Sequence, residues 1–373
     1  MSVEPEPVPL GPRQTLFGHA QRLHSRSPGS PLPDDGKPYP DDPFHRGRDR
    51  PRPPEDRALI GVEPARVLAE HFANPAAVPQ DLDEAFHRVW VSGHLSPPIS
   101  AVIEQTDPAR ARDTGRWLVQ HATDRGSVLG GLALLAVVGT SEDIPLIRTI
   151  SLLSDTFAPL AARALERLAG GADALVWLGD RVNGWGRVYV VEALLRLDDP
   201  ATRPWLLRRA VNGDHLNGYF AGELAVKTAL HEAVADPGAD DELFDHAGRL
   251  MDVLTYSRGM GSSIEDYDHA ADVLQVHVER LGRQKPTARR FAVATGLVEY
   301  LDSGAAARLG WSPERLVAAY RSVLDRDDWC AVIRGEIKSG DEHLAPAYLR
   351  WLTTELGPRL GLRAFADVPP SDE

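Results

Sequence analysis

Three stretches decide the fold: Ala133-Leu134-Leu135-Ala136-Val137-Val138-Gly139, Ala164-Leu165-Glu166-Arg167-Leu168-Ala169-Gly170 and Ala193-Leu194-Leu195-Arg196-Leu197-Asp198-Asp199. They begin at residues 133, 164 and 193, spaced by 31 and then 29 residues, and self-similarity at such a period marks a repeat architecture. The second spacing recurs independently, because Arg181-Val182-Asn183-Gly184 is matched 29 residues on by Ala210-Val211-Asn212-Gly213. Two helices of about a dozen residues with their turns fill that length, and neither buries its apolar face without a neighbouring unit. The expectation is an all-α chain, an α-α superhelix of antiparallel helix pairs.

Outward from these stretches the same punctuation continues. Residues 81–91, 108–122, 128–138, 144–153, 159–169, 188–197 and 204–211 each carry apolar residues three and four apart, and no alternating strand run interrupts them. Downstream, 218–235, 241–255 and 264–281 read as three longer helices. Arg283-Gln284-Lys285-Pro286 breaks the pattern before a last group at 288–301, 313–324, 329–337 and 343–355. Upstream, residues 1–64 hold 14 of the 30 prolines amid interleaved charge, a composition that opposes helix and ladder alike. Within it, Leu16, Phe17, Ala20 and Leu23 fall at helical spacing and are read as a chance apolar cluster in a disordered tail, the alternative being a segment that docks. The predicted divisions are a proline-rich disordered tail at 1–63, a repeat domain at 64–282, a helical continuation at 283–367 and a frayed end at 368–373.

The run Leu160-Ala161-Ala162-Arg163-Ala164-Leu165-Glu166-Arg167-Leu168 and the run Val188-Tyr189-Val190-Val191-Glu192-Ala193-Leu194-Leu195-Arg196-Leu197-Asp198-Asp199-Pro200-Ala201-Thr202-Arg203-Pro204-Trp205-Leu206-Leu207 resemble short HEAT repeats: first helix, Asp-Pro turn, second helix. The resemblance covers about residues 128–213 and departs from the pattern where Gly184-Trp185-Gly186-Arg187 replaces an aspartate-led entry. In HEAT-like stacks the second helices line the concave face. The resemblance therefore implies a partner-binding strip of Arg148, Arg181, Arg208 and Arg209, the alternative being internal pairing with neighbouring acids. Trp177 aligns with Leu146 and Leu206, which places it in the core between helices. Trp185, set between two glycines, is either a lid over the core or an exposed anchor for a partner.

Charge narrows the partners. With 41 Lys+Arg against 54 Asp+Glu, the net charge is -13, which repels phosphate backbones and anionic lipid, so nucleic acid and membrane are not expected. One cysteine, Cys330, excludes an intramolecular disulfide. Its neighbours Asp327 and Asp328 disfavour a thiolate nucleophile. The longest apolar run, 128–139, is too short to span a bilayer, and no basic-then-apolar leader opens the chain, so a cytoplasmic location is expected.

No stretch announces catalysis. Glu265, His269 and Asp272 share a face if 264–281 is one helix, but the residue types also suit a helix start capped by Ser262 or Ser263, and no second metal-ligand motif accompanies them. Arg258-Gly259-Met260-Gly261-Ser262-Ser263 has the glycines of an anion loop, yet the acids after it would repel a phosphate. The histidines are scattered, and no nucleophile elbow or dinucleotide fingerprint is present. The expected function is a noncatalytic protein-interaction scaffold, or a regulatory, immunity-type binding protein, without cofactor or metal, taking another protein with an acidic segment. The alternatives are a HEAT-like DNA-alkylation-repair glycosylase or a small-molecule-modifying enzyme.

Overall fold

The three-and-four spacing of apolar residues is realised as helices throughout: the computed structural model describes residues 14–45, 53–339 and 344–366, and among these no strand forms. Two compact units divide the chain, Met1–Thr202 and Arg203–Glu373. In the first, α1 (Leu16–Arg26) and a single turn, α2 (Asp42–His45), precede α3 (Val62–Ala73), α4 (Pro79–Phe86), α5 (Pro97–Glu104) and α6 (Pro108–His121). There follow α7 (Arg125–Val138), α8 (Ile144–Ile150), α9 (Ser154–Leu165), α10 (Gly171–Gly179) and α11 (Gly184–Leu197). The second unit holds α12 (Arg203–Arg209), α13 (Ala221–Lys227), α14 (Leu230–Ala235), α15 (Asp241–Tyr256) and α16 (Ala270–Leu281). Its later helices are α17 (Ala288–Leu301), α18 (Glu314–Leu324), α19 (Asp327–Ser339) and α20 (Pro346–Trp351).

The three similar stretches lie on helices that pack in succession. α7 packs on α9 and α9 on α11, while α8 lies against α9 and α10. Leu134, Leu165 and Leu194 are each 0% exposed, with Ala133, Ala164 and Ala193 beside them at 1% or less, so all six lie in the core. The second unit begins inside the expected repeat domain, at residue 203. The predicted break near 283 is only a link, because α17 folds back onto α15 within one unit.

Residues 14–45 correct the expectation of an extended tail. Thr15 caps α1 by accepting from the Gly18 amide, and Leu16 and Ala20 are 0% exposed where α1 meets α6 and α8. Asp34, Asp35 and Gly36 then turn through the left-handed region, at φ 46°, 55° and 76°, a conformation that non-glycine residues hold only when surrounding bonds impose it. The Asp35 carboxylate supplies those bonds. Its Oδ1 accepts from the Ser154 amide at 2.7 Å and the Ser154 hydroxyl at 2.5 Å, and its Oδ2 from the Asp155 amide at 2.8 Å and Tyr39 at 2.6 Å. Leu153, at the N-cap of α9, offers no side-chain cap, so an aspartate about 120 residues away in sequence satisfies that helix end. Asp41 adds to the local cap of α7, where Asp124 accepts from the Gly126 amide at 2.8 Å: it accepts from the Arg125 amide at 2.9 Å and holds the Arg125 guanidinium bidentately at 2.8 Å for each bond. Residues 1–13, 46–52 and 367–373 lie outside the described residues, and with them the expected frayed end.

Two predicted long helices are broken. The 218–235 span divides into a 3₁₀ turn (His215–Tyr219), α13 and α14, with Ala229 at φ 45° between the last two. The 264–281 span divides after a 3₁₀ turn (Ile264–Asp266), where Asp266 accepts from the Ser263 amide and hydroxyl and closes a capping box.

Two outcomes are expected from urea denaturation of the full chain. Asp35→Ala loses a charged cap and its hydrogen bonds and lowers stability by about 2 to 3 kcal/mol. Leu165→Ala and Leu194→Ala, at equivalent core positions, each cost about 2 to 5 kcal/mol and cost alike; a neutral result for either would show that the repeat register is misplaced.

Candidate functional site

The four arginines expected to form one strip fall into two settings, two in each unit. Arg148, at the end of α8, and Arg181, just after α10, stack on the Trp177 ring with guanidinium carbons 4.2 Å and 4.1 Å from its centroid. His24 of α1 meets the same ring edge-on at 5.3 Å, and Arg181 Nε donates to the Pro28 carbonyl at 2.8 Å. Trp177 is thus half-buried beneath the N-terminal segment rather than lodged between helices, because two cations and a histidine cover it. In the second unit, Arg208 Nε pairs with Asp240 at 2.9 Å and Arg209 Nε with Glu242 at 3.4 Å. The amide of Leu243 and the Arg208 guanidinium hold the Asp240 carboxyl below its ordinary range.

Trp185 occupies the first turn of α11, is 38% exposed, and stacks on Tyr189 at 6.0 Å. Tyr189 in turn meets His94 edge-on at 5.5 Å, and both line a cavity of about 420 Å³ with Trp90 and Arg125. Glu265, His269 and Asp272 do not share one helix face. Glu265 lies in the 3₁₀ turn, where Tyr300 and Arg308 each donate to its Oε1 at 2.8 Å, whereas His269 stacks on His231 at 3.6 Å. Burial opposes ionisation of Glu265, but hydrogen bonds from Ser263, Tyr300, Arg308 and Arg258 outweigh it and hold the carboxyl down at about 2.

A cation-lined cavity that the sequence reading did not single out lies wholly in the second unit. It measures about 610 Å³, and its charged lining is Asp245, Arg249, Lys285, Arg289, Arg290 and Glu336. α15 brings Asp245 and Arg249, one turn apart; the 283–287 link and the first turn of α17 bring the other cations; α19 brings Glu336. Thr287 caps α17 by accepting from the Arg290 amide at 3.2 Å, so the positive end of that helix also opens on the cavity.

The charges are not equivalent. Arg290 is neutralised: Nε reaches Asp245 at 2.6 Å, and its other nitrogens reach Asp245, Asp241 and the Lys285 carbonyl. Glu336 is buried, and its Oε1 accepts from the Leu344 amide at 3.2 Å. His277 behind the wall stacks on Phe244 at 4.7 Å and shares a 2.8 Å hydrogen bond with Tyr320; burial, then the charge of Arg290, push its pKa down to about 3, so it stays neutral. Arg249 differs from all of these. Its Nε donates weakly to the Asp245 carbonyl at 3.3 Å, and among the described residues no acceptor meets its terminal nitrogens. Burial, only partly offset by Asp245 and reinforced by Arg289, pushes its pKa down. A half-buried guanidinium with idle donors is the state that a carboxylate or other oxyanion relieves. The signal was present in the sequence: 283–290 holds Arg283, Lys285, Arg289 and Arg290 with no acid among them.

Comparisons with protein-family models, with curated proteins and with solved structures each return no match. No helix among the described residues is long and apolar enough to cross a membrane, and none of their His, Cys, Asp and Glu side chains group as a metal centre would require.

Two measurements check these electrostatics. Arg249→Met removes an uncompensated charge and is expected to raise unfolding free energy in the isolated protein by about 1 kcal/mol. A drop of that size would show that the guanidinium is satisfied. Glu265 is bound more tightly as a carboxylate in the folded state than its ordinary value of 4.5 allows. The stability it contributes is therefore present above that value and lost as pH falls toward 2, so Glu265→Gln should flatten the acid limb of stability in that window.

Proposed function

We propose that this chain is a noncatalytic binding protein, a stack of HEAT-like helix pairs followed by a second helical unit, and that it captures an acidic segment of another polypeptide. One observation carries the reading: Arg249 lines a cavity with its terminal nitrogens unclaimed by any described acceptor, while Lys285 and Arg289 stand on the same wall. In a chain of net charge -13, a nucleic acid meets repulsion over most of the surface, whereas a short acidic segment needs only the local cations. Catalysis finds less support here. Asp245 is tied to Arg290, and His277 is neutral and hydrogen-bonded to Tyr320, so neither is poised to move a proton.

Binding is tested with a fluorescein-labelled oligo-glutamate peptide followed by anisotropy. Capture at low salt is expected, weakening as salt rises. Arg249→Met should weaken it by roughly thirtyfold or more, corresponding to a loss of about 2 kcal/mol for a buried charge pair. Arg208→Glu with Arg209→Glu serves as the contrasting variant, because both arginines already have acidic partners. If that variant abolishes capture while Arg249→Met leaves it intact, the strip and not the cavity is the site. Tighter binding of duplex DNA than of the peptide would contradict the reading altogether.

A further inference from the structure

Another cavity of the second unit has the opposite chemistry. It measures about 390 Å³ and is walled by the rings of Tyr256, Tyr300, Tyr348 and Trp351, with Asp252 and Glu299 as its acids. α15 contributes Asp252 and Tyr256, α17 contributes Glu299 and Tyr300, and α20 contributes Tyr348 and Trp351. The last two rings lie 5.7 Å apart and tilted by 55°, two sides of a corner. The tyrosine hydroxyls of two walls are committed outward: Tyr300 donates to Glu265 at 2.8 Å, and Tyr348 donates to the Ala292 carbonyl at 3.3 Å.

The two acids are unequal. Glu299 pairs with Arg359. The Asp252 carboxylate receives no hydrogen bond among the described residues, and burial first, the charge of Glu299 second, push it up to about 7. It fits its place because residue 296 of α17 is glycine; a Cβ there would overlap the Asp252 Oδ1. The fold has thus made room for a carboxylate and left it without a donor, among aromatic rings.

We propose that this cavity binds a methylated ammonium group, with the aromatic walls around its methyls and Asp252 as the counter-charge. The chemistry discriminates. An inorganic anion meets two acids and ring faces. A small metal ion would have to shed water for a site whose walls are carbon. A neutral apolar group would leave the carboxylate unrelieved. A methylated ammonium carries diffuse positive charge, needs no hydrogen-bond acceptor, and is attracted by both ring quadrupoles and carboxylate. The inference is independent of the acidic-segment reading, since it concerns different residues and a ligand of opposite sign.

The probe is tetramethylammonium chloride, titrated calorimetrically into the full chain against sodium chloride of equal ionic strength, with tert-butanol as the neutral isostere. One saturable site is expected, with a rise in melting temperature and no saturable heat from tert-butanol. Asp252→Asn, which keeps shape and loses charge, should weaken binding at least about tenfold, and Trp351→Leu comparably. Circular dichroism verifies folding of each variant, and Asp252→Asn alone suffices if Trp351→Leu does not fold. Absence of saturable heat, wild-type affinity in folded Asp252→Asn, or equal binding of tert-butanol would overturn the assignment. Choline and a trimethyl-lysine peptide separate a free source of the group from a protein-borne one, and saturable binding of either supports it.

Discussion

The exposed amides at the start of a helix must find acceptors, and in the first unit two of those ends are satisfied from far away in the chain. Asp35 closes the start of α9, and Asp41 adds to the cap of α7 while pairing with Arg125. α7 packs on α9, so the bonds that finish these two helices also fasten residues 14–45 across them. The left-handed turn at Asp34–Gly36 and the stacking of Tyr39 on Phe157 at 6.5 Å follow from that attachment. The Asp35 carboxylate, together with the His19 ring on the Gly36 carbonyl at 2.7 Å, offsets the cost of that backbone conformation.

This attachment also allots the cations of the first unit. Trp177, Arg148 and Arg181 face α1 and the Pro28 carbonyl, so the chain's own N-terminal segment occupies the strip that Arg148 and Arg181 were expected to offer. In the second unit Arg208, Arg209 and Arg290 have acids within reach. The guanidinium of Arg249 does not share in this pairing: it lines a cavity, and among the described residues no acceptor meets its terminal nitrogens. Asp252 is the mirror case, a carboxylate in an aromatic cavity with no cation paired to it among the described residues.

The helical core was legible in the sequence because its signal is local: apolar residues three and four apart mark the helices that carry Leu134, Leu165 and Leu194, and each of these is fully buried. The N-terminal segment was not, since a proline count describes one segment and the bonds of Asp35 join residues about 120 apart. The helix spacing at Leu16 and Ala20 was its only visible sign. The break between α13 and α14 turns on a single left-handed alanine, Ala229, which no propensity scale would mark. Among site residues, Trp185 emerged exposed, while Arg249 escaped notice because it looks like any solvated helix charge until the 283–290 link folds beside it. Asp252 escaped for the same reason: its setting depends on a glycine forty-four residues later, at Gly296.

Amide hydrogen exchange on the intact protein tests the central claim, that residues 14–45 belong to the folded first unit, most directly. The amides of Ser154 and Asp155, which bond to Asp35, should exchange together with those in the middle of α1, at one opening free energy well above that of fraying ends. Exchange of α1 at random-coil rates, while α7, α9 and α11 stay protected, would contradict the account and return this segment to the status of a tail.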